Sequence, residues 1–223
     1  MKDKQLKICV IGSGIAGMSA AWLLSKKHHV EMWEKDDRIG GHSNTVKVGK
    51  HAIDTGFIVY NEKNYPNLVA LFDHLNVETA PTDMSFGVSI LRPSGKRLEY
   101  AGTDLWGMLA QRQNIFNPKF WAMMKDILRF YKSAEEDCKH PEMQRLTLGQ
   151  YLISKNYSDS FIRDHLLPMG AAIWSTPVDT MLEYPLLSFV RFCENHGLLQ
   201  VSDRPQWRTV LGGCQTYVRA LLA

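Results

Sequence analysis

Residues 6–46, LKICVIGSGIAGMSAAWLLSKKHHVEMWEKDDRIGGHSNTV, decide the fold of this chain. An apolar run at 8–11 enters a glycine turn, and a run of helix-forming residues follows at 16–25. A second apolar run, at 30–33, ends in Glu34. The order strand, glycine turn, helix, strand, acid is typical of the first unit of a dinucleotide-binding domain. We therefore predict an α/β fold with a Rossmann-like domain at its start.

The glycines of this turn have separate expected roles. Gly12 permits the tight turn, Gly14 lets the backbone approach a pyrophosphate, and Gly17 lets the helix and strand pack closely. The helix N-terminus offers N–H groups and a positive dipole end to phosphates. Glu34, twenty residues after Gly14, is placed to accept hydrogen bonds from adenosine ribose hydroxyls. The alternative is a glycine-rich turn in an α/β domain that binds no dinucleotide.

The run DDRIGGHSNT at 36–45 narrows the kind of dinucleotide. It resembles the FAD-binding N-terminus of the flavin amine oxidase, protoporphyrinogen oxidase and phytoene desaturase superfamily. Members carry GxGxxG, then Glu, then R-x-G-G-R-x-x-T beneath the flavin diphosphate and ribityl chain. Four positions match this last pattern: Arg38, Gly40, Gly41 and Thr45. His42 stands where the family usually has arginine, and this form is similar to a bacterial subgroup of NAD(P)/FAD-binding proteins found beside cyclopropane-fatty-acyl synthase-like genes.

A second segment, HAIDTGFIVY at 51–60, resembles the family's Asp-x-Gly stretch. In relatives, the backbone of this stretch runs past the isoalloxazine ring. Gly56 would allow close backbone approach there. The other interpretation is a simple strand–turn–helix whose apolar residues, 57–59, are core. Motif and resemblance together imply FAD as the cofactor and the following binding residues: Gly12, Ser13, Gly14, Ile15, Ala16, Gly17, Glu34, Lys35, Arg38, Gly40, Gly41, His42, Thr45, Gly56, Phe57 and Ile58.

The resemblance implies a glutathione-reductase-type FAD domain interrupted by an α+β substrate domain. We expect the N-terminal part of the FAD domain at 1–80 and the substrate domain at 81–223. In the latter, a turn at 93–95 separates two predicted strands, and helical spacing dominates 105–192. Asn117 and Pro118 fit the start of one helix. Relatives continue well beyond residue 223, so we expect a truncated flavoprotein that holds FAD poorly by itself.

The function implied by the resemblance is flavin-dependent dehydrogenation of a C–N or C–C bond. The bacterial subgroup suggests a small, apolar or fatty-acyl substrate. No side chain can be assigned as catalytic from the sequence. Two alternatives stay open: an NAD(P)-binding dehydrogenase with a single Rossmann domain, and a non-catalytic protein that retains the dinucleotide fold.

Composition excludes several classes. A net charge of +3 without a lysine or arginine block argues against nucleic-acid binding. No apolar stretch approaches the ~20 residues of a membrane span, although peripheral membrane contact stays open. The histidines lack metal-ligand spacing, so no metal is expected. The start lacks signal-peptide character and the four cysteines lack CxxC pairing, which favours a cytoplasmic protein with free thiols.

Two further expectations concern packing. Cys9 lies within the first apolar run and is expected in the core. Methionines and aromatic residues crowd the helical region, and they form either helix core or the wall of an apolar substrate cavity. These residues are Trp121, Met123, Met124, Met169, Trp174, Met181 and Phe189.

Overall fold

The computed structural model describes residues 4–200 and 204–223, which divide into two compact units. Unit 1 comprises the described residues up to Met84 together with Gln206–Ala223, and unit 2 is Ser85–Pro205. Residues 206–223, which the sequence placed with the second domain, therefore belong to unit 1. Their place there follows from a strand and a helix that complete the sheet and the core of unit 1.

The elements follow one another in an α/β order at the start and in a largely helical order later. Up to Thr82 they are β1 (Lys7–Ile11), α1 (Ile15–Ser25), β2 (His29–Trp33), β3 (Thr45–Val48), β4 (His51–Asp54), β5 (Tyr60–Asn61), α2 (Pro66–His74) and β6 (Thr79–Thr82). Unit 2 contains β7 (Gly87–Leu91), β8 (Arg97–Ala101), α3 (Leu105–Met108), α4 (Pro118–Asp137), α5 (Leu148–Ser154), α6 (Asp159–Phe161), α7 (Leu167–Trp174) and α8 (Leu186–Asn195). The chain closes with β9 (Trp207–Val210) and α9 (Gln215–Leu222).

The first three elements form the predicted unit of two parallel strands joined by a helix. β1 pairs in parallel with β2, with Cys9 opposite Glu31. Burial alternates along both strands. The more buried positions pack against α1, whereas Cys9 is exposed on the other face. The expectation that Cys9 is core was therefore wrong, because the helix covers only one face of this two-stranded sheet.

The rest of unit 1 holds the candidate residues in place. β3 and β4 form an antiparallel hairpin, and β9 lies between β5 and β6 in a three-stranded antiparallel sheet. The second hydrophobic cluster of the protein joins α1, α2 and α9. Its most deeply buried side chains are Met18, Phe72, Cys214 and Tyr217.

Unit 2 is a helical cluster packed with one β-hairpin. β7 and β8 pair across a turn in which Gly95 has φ 78°. The Asn117 side chain accepts a 3.1 Å hydrogen bond from the Lys119 N–H at the start of α4, so the predicted helix start is confirmed. Of the methionine and aromatic residues singled out above, four are buried in the core: Met123, Met169, Met181 and Phe189.

No helix in residues 4–200 and 204–223 is both long and apolar enough to cross a bilayer. Within the same ranges, no three histidine, cysteine, aspartate or glutamate side chains are grouped so that they could hold a metal ion.

Candidate functional site

The backbone conformation and packing of the first turn require glycine at two positions. Gly12 has φ 93° and donates its N–H to the Trp33 carbonyl at 2.7 Å, which joins the turn to the end of β2. A Cβ atom on Gly17 would lie 2.0 Å from the Gly12 carbonyl oxygen. Only glycine therefore allows α1 to begin so close to the end of β1.

Gly14 differs from these two glycines. It has φ −64° and ψ 171°, a conformation open to any residue, and a Cβ atom there would meet nothing within 4 Å. Gly14 is the N-cap of α1, and no side chain caps the helix. Neither backbone strain nor packing in unit 1 demands glycine here. The free space at an uncapped helix N-terminus suits the close approach of a phosphate group.

The Glu34 carboxylate is held beside this turn by four hydrogen bonds. Oε2 accepts from the Ser13 N–H at 2.8 Å and from the Ser13 hydroxyl at 2.5 Å. Oε1 accepts from the N–H groups of Lys35 at 2.8 Å and Asp36 at 3.1 Å. These donors, the Ser13 hydroxyl foremost, lower the pKa of Glu34 to about 2. Glu34 is therefore an anion with a fixed orientation at neutral pH.

The second glycine pair lies directly against the first turn. The Gly40 N–H donates to the Ser13 carbonyl at 3.1 Å, and Gly14 and Gly40 form an isolated parallel bridge. Gly41 has φ 56°, and a Cβ atom on it would lie 3.0 Å from the Gly14 Cα. The structure thus brings together the two glycine segments that the sequence had linked only by resemblance.

The exposed members of the predicted set lie around this centre. Arg38 Nη2 donates to the Gly41 carbonyl at 2.8 Å and so fixes the loop that carries the second glycine pair. Ala16 and Lys35 are exposed, one in the first turn of α1 and the other just after Glu34. On its solvent side, the turn is therefore lined by exposed side chains, of which Ala16 is small.

His42 and Gly56 meet through their backbones. The His42 carbonyl accepts hydrogen bonds from the Asn44 N–H at 2.9 Å and the Phe57 N–H at 3.1 Å. A Cβ atom on Gly56 would lie 2.2 Å from the same carbonyl oxygen. Glycine at 56 is therefore required by contact with the His42 backbone, which joins the GGH segment to the Asp-x-Gly segment.

The Thr45 side chain makes hydrogen bonds to other residues of unit 1. Its hydroxyl donates to Asp54 Oδ1 at 2.5 Å and accepts from the Gln215 N–H at 3.0 Å. Asp54 also accepts from the Cys214 N–H at 2.9 Å. Together they hold the N-terminal end of α9. Sequence reasoning missed this role of Asp54, although the Asp-x-Gly pattern marked the residue.

A pocket of about 430 Å³ lies within unit 1. Ile15, at the start of α1, and Phe57, after the Asp-x-Gly segment, form part of its wall together with Tyr65, Leu68 and Tyr217. Two predicted residues from distant parts of the sequence thus share one mostly apolar cavity. Ile58 lies outside this pocket lining and is 55% exposed, and its carbonyl accepts a 3.0 Å hydrogen bond from Thr209.

Comparison with known proteins agrees with this geometry. Residues 10–75 match the model of the NAD(P)-binding Rossmann-like domain family. The 4,4'-diapophytoene desaturase (4,4'-diaponeurosporene-forming) of Staphylococcus aureus strain Newman is 25% identical, and the alignment covers 72% of this chain and 35% of the desaturase.

Solved structures share the fold. Cyclohexylamine oxidase from Brevibacterium oxydans superposes with a TM-score of 0.65 at 21% identity, over 98% of this chain and 49% of the oxidase. A protein assigned as a protoporphyrinogen oxidase from Exiguobacterium superposes with a TM-score of 0.61 at 20% identity, over 100% of this chain and 51% of that protein. The predicted α/β fold and the predicted resemblance are confirmed. The chain spans about a third of the desaturase and about half of the solved structures.

Proposed function

We propose that this chain supplies the dinucleotide-binding portion of an FAD-dependent oxidoreductase that dehydrogenates a C–N or C–C bond. The observation that carries the proposal is the network of Ser13, Glu34 and Gly40, which holds a carboxylate next to the open N-terminus of α1. The similarity to a desaturase and to amine oxidases supports the class of reaction.

Several features around the first turn fit the parts of FAD. Space at Gly14 and the N-terminal N–H groups of α1 would hold the diphosphate. The Glu34 carboxylate would accept from the ribose hydroxyls and, as an anion, would disfavour a 2′-phosphate. The second glycine pair, at Gly40 and Gly41, allows the chain to pass closely beside the same groups. The isoalloxazine end is proposed near Gly56, Phe57 and Ile58.

Glu34 has to adjust when ribose binds. Each carboxylate oxygen already accepts two hydrogen bonds, so a ribose hydroxyl must share or replace one of them. The Ser13 hydroxyl is the donor that can rotate away, because the other three are backbone N–H groups. Ser13 thus occupies the acceptor site that the ribose would take.

FAD, when bound, would act as the acceptor of a hydride from the substrate. The residues of this chain bind and orient it, and no described side chain is assigned as an acid or base for the reaction. We propose a small substrate with an apolar or fatty-acyl part, a choice supported by the desaturase relative and the subgroup resemblance. A cytoplasmic location is proposed as well, and the four free cysteines support it.

An NAD(P)-binding dehydrogenase is the second candidate, because the matching family model bears that description. The two candidates differ in what the glycine turn should bind. Titration with FAD, followed by flavin fluorescence anisotropy, and titration with NADH, followed by nicotinamide fluorescence, separate them. Saturable binding of NADH without saturable binding of FAD would favour the dehydrogenase and contradict the proposal.

The decisive variant is Gly14→Val. Its side chain would occupy the space proposed for the diphosphate, so we expect FAD binding to weaken by at least about tenfold. Gly87→Val is the matched control, because a Cβ atom at Gly87 also meets nothing within 4 Å and valine suits a strand. Circular dichroism checks that both variants fold. Equal FAD affinity in the two variants would move the site away from this turn.

A further inference from the structure

Unit 2 carries a second feature that FAD binding does not explain. A pocket of about 660 Å³ opens beside the β7–β8 hairpin, and its wall includes Arg92, Lys96 and Arg97. Among the lining residues that the structure describes, none is acidic. Arg92 pairs with Asp164, and Arg97 lies 4.0 Å from Glu99. These two carboxylates offset the charges of Arg92 and Arg97, and Lys96 is the third cation of the lining, so positive charges outnumber negative charges around the pocket by one.

Asn114, one of the lining residues, carries an unpaired buried donor. The residue is 4% exposed and lines the pocket. Its Nδ2 atom is buried and has no hydrogen-bond partner among the described residues. An amide NH₂ group only donates, and leaving a buried donor unpaired costs free energy. The cationic side chains of the lining favour an anionic ligand.

The outer surface next to the pocket is apolar and basic. Phe116, which also lines the pocket, is 88% exposed. The Trp121 indole N–H donates to the Ile115 carbonyl at 2.8 Å, which connects this loop to α4. We call the following exposed residues the interfacial surface: Ile115, Phe116, Trp121, Lys125, Leu128 and Lys132.

Apolar residues and lysines follow a regular pattern along one exposed face of α4. Positions 121, 125, 128 and 132 recur at helical spacing, so they share one face, and apolar side chains alternate with lysines along it. Among the acidic residues of α4, Asp126 is buried and pairs with Arg129 at 2.9 Å. The exposed acids, Glu135 and Glu136, lie at the C-terminal end of the helix, where Glu135 follows Lys132 on the same face. Exposed aromatic residues combined with lysines are typical of surfaces that lie on anionic lipid.

We propose that unit 2 docks on an anionic phospholipid surface through the interfacial surface, with a lipid phosphate in the pocket of Arg92, Lys96, Arg97 and Asn114. A second copy of the chain would bring Lys125 and Lys132 close to like charges if the same faces met, which is unfavourable. A free phosphate would leave the exposure of Phe116 without an explanation. The proposal goes beyond the flavin site and does not depend on it.

Vesicle sedimentation tests the docking. We expect the chain to bind vesicles of phosphatidylcholine with phosphatidylglycerol, and to bind pure phosphatidylcholine weakly. Phe116→Ser should weaken binding by about tenfold, since an exposed aromatic side chain is lost from the apolar contact. Lys125→Gln and Lys96→Gln should each weaken it by about fivefold. Higher salt should weaken binding of the unmodified chain.

Matched controls come from the same unit. Ile153, on α5, is 76% exposed and apolar, and Arg145 is an exposed cation in a short helical turn. Ile153→Ser and Arg145→Gln should leave vesicle binding unchanged. If these controls weaken binding as much as the test variants, the attraction is nonspecific and the proposal is wrong.

Two further experiments test whether a small anion or a second copy of the chain binds here instead of lipid. Calorimetric titration with glycerol phosphate tests the pocket as a small-anion site. Saturable binding of this anion, together with no binding to anionic vesicles, would overturn the lipid proposal. Sedimentation velocity tests self-association. A dimer that Phe116→Ser dissociates, again without vesicle binding, would assign the surface to a second copy and would also overturn the proposal.

Discussion

At the scale of single residues, the chemistry of the candidate site depends on how Ser13 and Glu34 share hydrogen bonds. The Ser13 hydroxyl lies 2.5 Å from Glu34 Oε2 and is the largest cause of the lowered pKa of that carboxyl. Ser13→Ala removes this donor and leaves the backbone N–H groups in place. We expect the pKa of Glu34 to rise from about 2 towards its ordinary value of 4.5. Carbon-detected NMR titration of glutamate side chains measures it.

The control for this change is Ser25→Ala. Ser25 lies at the far end of α1, and its hydroxyl donates to the Trp22 carbonyl at 2.8 Å. It should leave the pKa of Glu34 unaltered. An unaltered Glu34 pKa in Ser13→Ala as well would show that the backbone donors alone fix the carboxylate.

Glu34 itself should matter for cofactor affinity. If the carboxylate accepts from ribose hydroxyls, Glu34→Ala loses charge-assisted hydrogen bonds and should bind FAD more weakly. Glu31→Ala is the matched control, because Glu31 lies exposed on β2, which ends just before Glu34. Calorimetric titration with FAD compares the two variants. Equal affinities would remove Glu34 from the binding site.

The residues of the turn could be predicted from sequence because their spacing is local. Gly12, Gly14 and Glu34 belong to one strand–helix–strand unit, and the chain geometry of that unit fixes their distances. The role of Thr45 could not be derived in this way. Its hydroxyl contacts Gln215, and only the folded chain brings these two positions together. Its assignment to the cofactor site stays a prediction.

At the scale of elements, α9 is fastened to unit 1 through its N-terminal end. The Asp54 carboxylate accepts from the Cys214 N–H at 2.9 Å and from the Thr45 hydroxyl at 2.5 Å. Asp54→Ala should lower the free energy of unfolding by about 1–3 kcal/mol, since a half-buried N–H and a hydroxyl lose their acceptor. Asp54→Asn retains one acceptor oxygen and should cost less. Urea titration followed by circular dichroism gives these values.

Asp36→Ala is the control variant for Asp54→Ala. Its side chain is exposed and lies on a loop, so Asp36→Ala should change stability by less than about 0.5 kcal/mol. A similar loss of stability in both variants would mean that the effect of Asp54→Ala comes from charge alone and does not depend on holding α9.

Pattern and capping predicted individual elements better than their pairing. The strand–helix–strand start, the hairpin around the turn at 93–95 and the Asn117 start of α4 all follow from local sequence. The place of β9 between β5 and β6 does not. Arg208 pairs with Tyr60 on one side and Pro81 on the other, more than a hundred residues away. Such pairings are chosen by the packing of the whole unit.

At the scale of the whole molecule, stability should depend on pH through one buried histidine in unit 2. His165 is 4% exposed and packs beside the rings of Phe86, Tyr100 and Phe161. Its Nδ1 lies 3.1 Å from the Tyr100 hydroxyl, which itself donates to the Asp164 carbonyl at 2.6 Å. Nδ1 therefore carries the proton and donates to Tyr100. Burial lowers the pKa of His165 from 6.5 to about 4.

The sign of this effect follows from proton binding. Between pH 6.5 and about 4 the unfolded chain binds a proton at His165 and the folded chain does not, so acid favours unfolding. The contribution of neutral His165 to the free energy of unfolding is fully present above pH 6.5. The free energy of unfolding falls by about 3 kcal/mol as the pH drops to 4. The lowered pKa of Glu34 acts in a lower window, since its contribution is present above pH 4.5 and is lost towards pH 2.

His165→Gln separates the two windows. Glutamine does not titrate, so the variant should lose most of the decline in unfolding free energy between pH 6.5 and 4, even if it is less stable at every pH. His140→Gln, which removes an exposed histidine three residues after the end of α4, should keep the decline. Urea titrations at half-unit pH steps, followed by circular dichroism, measure both slopes. A decline that persists unchanged in His165→Gln would place its origin in other groups and contradict the role given to the buried imidazole.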